Sequence, residues 1–201
     1  MKKIILAALM PVLMVAASDA MAGDPAPAQT PITIDGGKIN FSGSIVATPC
    51  AVDNDSDGQT VKLGQVPANH FSAAGDTSAA VPFSIKLTGC VLDKDATGAT
   101  ANYTGAAITF KGTAVSGKAD VLALSPSASG AGDETKPAAN VGIQILQNGT
   151  AVAVDGSKAS AKQTIQAGSN TIPFGADYVA TDAGVTPGSA NSVVDFQVTY
   201  S

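Results

Sequence analysis

Few residues in this chain of 201 could carry chemistry. An acidic run, Asp53-Asn54-Asp55-Ser56-Asp57-Gly58, places carboxylates at the first, third and fifth positions of a calcium loop and glycine at the sixth. The twelfth position, where such a loop carries a bidentate glutamate, is Gly64. The run therefore favours a solvated turn rich in Asx residues over a calcium site.

Histidine chemistry is equally restricted, because His70 is the only histidine of the chain. A single histidine cannot form a two-histidine metal site, and no Gly-x-Ser-x-Gly elbow offers a nucleophile for it to activate. A net charge of −5, with 11 lysines and no arginine, leaves no cationic cluster for phosphate groups. We therefore expect no enzyme, no metal or other cofactor and no nucleic-acid partner, with His70 in a surface loop.

The first 22 residues have the pattern of a secretory signal peptide. Lys2 and Lys3 precede an apolar stretch from Ile4 to Ala17, and Ala20-Met21-Ala22 places small residues at a cleavage site. The alternative is a membrane anchor, but the stretch is short for a spanning helix and contains Pro11. We expect residues 1–22 to be cleaved and the mature chain not to insert into a membrane.

The predicted export determines the redox state that we expect for the two cysteines, Cys50 and Cys90. Extracytoplasmic compartments are oxidising, so a disulfide between them is favoured over two free thiols. Closing a loop of about 41 residues would stabilise the fold by about 4 kcal/mol in the chain-entropy model.

Short alternating strands are predicted along most of the mature chain. Apolar residues alternate with polar ones, loops rich in Gly, Ser, Asp and Pro (such as 125–137) separate the runs, and no 3.6-residue period persists for three turns. Asn148-Gly149 predicts a two-residue hairpin turn, since both positions accept positive φ. The pattern is typical of an all-β sandwich with strands near 81–87, 108–110, 121–124, 141–147, 151–154, 172–178 and 193–200.

The two ends of the mature chain carry the most informative patterns. Residues 23–31 form a Pro/Ala-rich leader, which we expect to be flexible. Strand-like alternation follows, with Ile32 and Ile34 on one phase and Ile39 and Phe41 on the other, across the Gly36-Gly37 pair. At the C-terminus one phase holds four apolar side chains, which predicts one buried face: Val194, Phe196, Val198 and Tyr200.

Several segments together resemble the major subunit of type 1-like fimbriae, which the chaperone–usher pathway of Gram-negative bacteria assembles. The similar segments are Gly36 to Gly43, Cys50-Ala51-Val52-Asp53, a strand from Gln59 to Val66, Phe83 to Cys90, Val141 to Leu146 and Thr171 to Phe174. The penultimate Tyr200 and Gly188, fourteenth from the C-terminus, match the terminal motif of that family. The longer leader and the acidic run depart from the family pattern.

The resemblance implies an immunoglobulin-like sandwich that lacks its C-terminal strand and is completed by a donor strand from a chaperone or a neighbouring subunit. It implies a signal peptide at 1–22, a leader and donor strand at 23–43 and a pilin domain at 44–201. Strand addition at an unpaired sheet edge is a known recognition mode. The preferred inward residues of the donor are Gly37, Ile39 and Phe41, with Ile32 and Ile34 as the alternative phase, and the acceptor groove and C-terminal motif comprise Gly188, Val194, Phe196, Val198 and Tyr200.

The implied function is that of a shaft subunit of an extracellular fimbrium that supports adhesion. The implied partners are other pilin subunits in a head-to-tail polymer, a periplasmic chaperone and an outer-membrane usher. Two alternatives stay open on the sequence alone: a minor adaptor subunit of the same fibre, and a secreted monomeric ligand-binding sandwich.

Overall fold

The structure is a computed structural model that describes residues 30–95, 97–126 and 136–201. The predicted signal peptide, most of the leader and most of the loop predicted at 125–137 lie outside the described residues. The chain divides into two units, Met1–Gly43 and Ser44–Ser201. Within the described ranges, no helix has the length and apolar character needed to cross a membrane.

The second unit is an all-β structure, as predicted. Its helical content, within the described ranges, is one turn of 3-10 helix at Ala68–His70. The strands are β1 (Ala51–Val52), β2 (Val81–Cys90), β3 (Gly105–Gly112), β4 (Ala114–Val115), β5 (Lys118–Leu122), β6 (Val141–Gln147), β7 (Thr150–Ala151), β8 (Gln163–Thr164), β9 (Gly168–Ala180) and β10 (Val194–Tyr200).

Two antiparallel sheets form the unit. The larger sheet has the order β1-β2-β9-β6-β5-β4, with β7 paired to β6, and the smaller has the order β10-β3-β8. The long strand β9 pairs with β2 from Ala176 to Asn170 and with β6 from Ala180 to Gly175. Because β3 and β4 follow each other in sequence but belong to different sheets, the chain crosses between the sheets at Thr113.

One hydrophobic core receives side chains from both sheets. Ile85 and Leu87 of β2 and Ile108 of β3 are fully buried in it. The ring of Phe110 from the smaller sheet meets Phe174 from the larger sheet edge to face, with the ring centroids 5.2 Å apart. The alternation that predicted the strands therefore sorts their side chains into core and surface, as burial of one sheet face requires.

The predicted hairpin at Asn148-Gly149 is confirmed. Asn148 has a φ of 52° and Gly149 a φ of 78°, the two positive values that a type I′ turn needs. The strand after the turn ends at Ala151, earlier than the predicted 154. The strand predicted at 121–124 lies instead at Lys118–Leu122.

Two segments predicted as strands are not paired within the described part of the chain. Residues 30–43 contain no strand and are all exposed. Residues 59–66 also form no strand, and Gly64 there has a φ of 77°, which interrupts an extended conformation. A strand exists only when its backbone pairs with a neighbour, and none of the described residues supplies that neighbour for either segment.

Candidate functional site: the open edge of the C-terminal strand

The last strand of the chain, β10, lies at an edge of the smaller sheet. It pairs with β3 in antiparallel register from Val194 opposite Gly112 to Tyr200 opposite Ala106. Along its other side, no strand from the described part of the chain pairs with it. Within the described ranges, β10 is therefore a seven-residue strand that is hydrogen-bonded on one side.

The register shows which backbone groups point to the open side. Ser201 and Gly105 exchange both hydrogen bonds, at N···O distances of 3.0 and 2.9 Å. Hydrogen-bonded and non-hydrogen-bonded pairs alternate along an antiparallel ladder. Phe196, Val198 and Tyr200 therefore direct their N–H and C=O groups away from β3, toward the open edge.

The side chains of these residues, together with that of Val194, form an apolar face that the rest of the described chain covers only in part. Val194, Phe196, Val198 and Tyr200 are each half-buried and pack against the core. Ala106 and Ile108 of the adjacent strand β3 have no exposed surface at all. We use the name acceptor groove for these four half-buried side chains together with the open edge of β10. An edge with unpaired backbone beside incompletely covered apolar surface has the features that strand addition requires.

Tyr200 closes one end of the acceptor groove. Its hydroxyl lies 3.3 Å from the carbonyl oxygen of Cys50, to which it donates a hydrogen bond. Its ring meets Tyr103 edge to face at 6.3 Å, and burial raises the pKa of the Tyr200 hydroxyl. The predicted disulfide is present between Cys50 and Cys90. The C-terminal strand is thus attached to the start of β1 and, through the disulfide, to the end of β2.

A second segment with unpaired backbone borders the same core. Val61, Leu63 and Val66 are half-buried, and Leu63 and Val66 pack against the core. No backbone–backbone hydrogen bond involves residues 59–66 within the described ranges. The hydroxyl of Tyr178 lies 3.4 Å from the carbonyl oxygen of Gly64 and 3.5 Å from that of Ala190, which precedes β10.

Through this shared contact, Gly64 in residues 59–66 lies near Ala190, in the segment that leads into β10. Residues 59–66 therefore border the same core as the segment that leads into β10. Sequence reasoning recognised this segment as a strand but did not assign its side chains to the site. The signal was present in the alternation of Val61 and Leu63.

Gly188 has a packing role instead of a place in the strand edge. A Cβ atom there would lie 2.5 Å from the backbone nitrogen of Ala138 and 2.6 Å from the carbonyl oxygen of Lys136. Ser189 beside it forms a parallel bridge with Pro137. The absence of a side chain at position 188 thus lets residues 136–138 approach the segment that leads into β10.

The apolar side chains of the N-terminal segment are exposed. The exposed fractions are 81% for Ile39 and 91% for Phe41, and Ile32 and Ile34 are similarly exposed. Gly37 has a φ of 99°, a conformation that favours glycine. Both phases of the predicted donor strand are therefore equally available, and the choice between them stays a prediction.

The other sequence candidates do not assemble into a site. His70 is exposed on the 3-10 helix, with its Nε2 atom 3.2 Å from the carbonyl oxygen of Thr77. In the acidic run, the Oδ1 atom of Asp53 accepts the Asp55 N–H at 2.9 Å, as in an Asx turn, and Asp55 pairs with Lys86 at 3.6 Å. No group of three acidic, histidine or cysteine side chains suited to a metal ion occurs among the residues that the structure describes.

Comparison with known proteins gives a consistent result. The sequence model of the family described as "Fimbrial protein" matches residues 39–201. The chain is 46% identical to a type-1 fimbrial protein, A chain, of Escherichia coli, over 85% of this chain and 86% of the relative. It is 41% identical to the fimbrial subunit type 1 of Salmonella typhimurium, over 94% of this chain and 93% of the relative.

Solved structures share the fold. A chain from a chaperone–usher pilus structure aligns with a TM-score of 0.64 at 25% identity, over 86% of this chain and 100% of that one. The P pilus rod subunit PapA aligns with a TM-score of 0.59 at 21% identity, over 77% of this chain and 100% of PapA. These neighbours have the immunoglobulin-like fold of pilins, so the predicted fold class is confirmed. The chain belongs to the fimbrial protein family.

Proposed function

We propose that this chain is the repeating structural subunit of a fimbrial shaft and that its subunits join by donor-strand exchange. The observation that carries the proposal is the acceptor groove, where an apolar face and an unpaired strand edge coincide on β10. The fimbrial family consists of structural subunits, not enzymes. In keeping with this, the exposed His70 and the Asx turn of the acidic run have the features of ordinary surface loops.

The occupant of the acceptor groove is the N-terminal segment of the next subunit. Ile39 and Phe41, with Gly37 on the same phase, point into the groove, and Ile32 and Ile34 are the alternative phase. Each of these isoleucine and phenylalanine side chains is at least 81% exposed, so burying one would contribute about 1.5 to 3 kcal/mol. Backbone pairing along the edge of β10 adds affinity that does not depend on the side chains.

This mode of joining produces an open filament. The N-terminal segment and the acceptor groove are different surfaces, so each contact is head-to-tail and leaves one of each surface free. Related fimbrial subunits form extracellular pili on Gram-negative bacteria. A shaft built from this chain would extend from the cell surface and support adhesion through its tip.

Assembly requires partners that protect the groove until the next subunit arrives. A periplasmic chaperone lends a strand to β10 after the signal peptide has directed export, and an outer-membrane usher exchanges that strand for the N-terminal segment of the next subunit. An exposed apolar strand edge would otherwise promote aggregation. The support for these partners is the open edge itself, together with the likeness to chaperone–usher pilus subunits.

Paired substitutions in the full chain test the proposal. Phe41→Asp should abolish fibres, because it would place an unpaired charge in the groove, whereas Asn40→Asp on the opposite phase should leave them intact. Phe196→Asp and the exposed neighbour Gln197→Asp form the matching pair on β10. Fibres are counted by electron microscopy, with chaperone-bound subunit measured in the periplasm as a control for folding. Normal fibres from Phe41→Asp, together with normal fibres from Ile34→Asp, would overturn the proposal.

A further inference from the structure

The larger sheet also has an edge that is only partly paired, along β2. The short strand β1 pairs with β2 at Leu87 and Thr88. On the side opposite β9, no strand from the described part of the chain pairs with the preceding residues 81–86. An open strand edge can accept a strand from another molecule. A subunit that joins its neighbours by strand addition therefore needs a feature that directs the incoming strand to β10 and not to β2.

The contacts of Lys86 show which backbone groups of β2 point to this open side. The Lys86 N–H donates to the Oγ atom of Ser56 at 2.8 Å, and the Lys86 carbonyl oxygen accepts the N–H of Asp53 at 3.0 Å. Both backbone groups of Lys86 therefore point away from β9. Alternate residues of a strand direct their backbone groups to opposite neighbours. Ser84 and Pro82, on the same phase as Lys86, thus also face the open side.

Most of these outward backbone groups cannot pair with an incoming strand. Pro82 has no N–H to donate, and proline is typical of strand edges for that reason. The carbonyl oxygen of Ser84 accepts a hydrogen bond from the Nε2 atom of Gln59 at 3.2 Å. With both groups of Lys86 bonded as well, the Ser84 N–H and the Pro82 carbonyl are the outward groups left without a hydrogen bond from the described part of the chain.

The turn of the acidic run holds Ser56 in position for its bond to β2. The exposed fraction of Ser56 is 2%, and its N–H donates to the carbonyl oxygen of Asp53 at 2.8 Å. Asp55 in the same turn pairs with the Lys86 ammonium at 3.6 Å. The turn thus presents a buried hydroxyl to the β2 backbone and places carboxylates beside the edge. Charged side chains at an open edge oppose the addition of another strand.

Hydrogen bonds, and not close packing, attach this part of the chain to β2. A cleft of about 490 Å³ lies between residues 59–62 and 81–86. The half-buried side chains of Val61 and Phe83 line it, so apolar surface is present beside the β2 edge. Without the hydrogen bonds of Ser56 and Gln59, the edge and this apolar surface would be open to another strand.

We propose that Ser56 and Gln59 close the β2 edge to strand addition and so direct the N-terminal segment of the next subunit to β10. The proposal rests on the proposed function as a shaft subunit, because strand exchange is the reaction whose site these two residues select. It gives the acidic run, which departs from the family pattern, a part in the specificity of assembly.

Intact fibres of the full chain separate the two edges, because each acceptor groove inside a fibre is already occupied by a neighbour. Fibres are mixed with a peptide that spans residues 28–43 and carries a photoreactive group in place of Ser42, and cross-links are mapped by mass spectrometry. Wild-type fibres should show no cross-link to residues 81–86. Fibres of the double variant Ser56→Ala with Gln59→Ala should bind up to about one added peptide per subunit at that edge.

The matched control is the double variant Asn54→Ala with Thr60→Ala. Both side chains are exposed neighbours of the substituted residues and form no hydrogen bond to β2. Fibres of this control should bind no more peptide than wild-type fibres do. If the first double variant does not assemble, Gln59→Ala alone removes an exposed side chain and should still raise peptide binding at residues 81–86 above the wild-type amount.

Hydrogen exchange in wild-type fibres gives a second measurement. The Lys86 amide, bonded to Ser56, should exchange about tenfold or more slowly than the Ser84 amide after correction for intrinsic rates. Equal protection of the two amides, or a peptide cross-link to residues 81–86 of wild-type fibres, would overturn the proposal. Variant fibres that bind no more peptide than wild-type fibres would also overturn it. Absence of any wild-type fibre would instead overturn the proposed function.

Discussion

The phase of the donor strand can be tested with peptides that span residues 28–43 and the domain Ser44–Ser201. The perturbation is Phe41→Ala in the peptide. The Phe41 side chain is 91% exposed in the N-terminal segment, so placing it in the acceptor groove would bury nearly its whole surface. Losing most of that burial should cost about 2 kcal/mol of binding free energy, which corresponds to about a thirtyfold weaker peptide.

The assay is thermal unfolding of the domain at a fixed peptide concentration well above the dissociation constant. Ligand binding to the native state raises the melting temperature by mass action, and about 2 kcal/mol corresponds to about 4–8 °C for a domain of this size. The Phe41→Ala peptide should therefore give a melting temperature lower by that amount than the wild-type peptide does. Asn40→Ala, on the opposite phase, is the matched control and should match the wild type.

Two results would refute the reasoning in different ways. Equal melting temperatures with the Phe41→Ala and wild-type peptides, combined with a loss for Ile34→Ala, would transfer the inward set to Ile32 and Ile34. A domain that melts at the same temperature with and without any peptide would mean that β10 needs no added strand. The acceptor groove would then have no role in assembly.

Three further predictions concern the folded domain. Asp177→Asn should raise the melting temperature, and the increase should become larger as pH rises from about 4 to 8. Burial raises the pKa of the Asp177 carboxyl, so the stability that its protonated form contributes is lost as pH rises through that pKa. A difference in melting temperature that does not depend on pH would contradict this. Gly188→Val should destabilise the domain by about 1–3 kcal/mol in urea unfolding, because its Cβ would strike the backbone of 136–138; an unchanged unfolding midpoint would contradict this. Ser160→Ala should cost about 1–3 kcal/mol in the same assay, because the buried Ser160 Oγ accepts the Ile108 N–H at 2.9 Å; an unchanged midpoint would show that this N–H has another partner.

The central strands could be predicted because the alternation of apolar and polar residues that specifies them is a local sequence pattern. Phe83, Ile85 and Leu87 alternate with polar residues, and burial of one sheet face places them toward the core. The Asn148-Gly149 turn is equally local, since its two residue types accept the positive φ values observed. The apolar face of β10 was equally predictable, because Val194, Phe196, Val198 and Tyr200 share one phase of the alternation.

Other features depend on contacts that no local pattern encodes. Residues 59–66 alternate as a strand would, but their pairing needs a neighbour that the described chain does not supply. Asp177 of β9 follows the rule that outward positions are polar, and only the folded sheet, in which it lies opposite Gln144 of β6, shows that its side chain is buried. Phe196 is likewise half-buried because no described strand pairs with the open side of β10, and the residues next to it in sequence do not encode this.

The open edge of β10 also gives a fibre of this subunit a direction. The donor segment and the groove belong to the same chain but are not interchangeable, so the two ends of a filament are chemically different. One terminal subunit has an empty groove and the other has an unused N-terminal segment. A variant that lacks residues 23–43 but keeps β10 would therefore stop growth at one end only, and a free donor peptide would cap the opposite end.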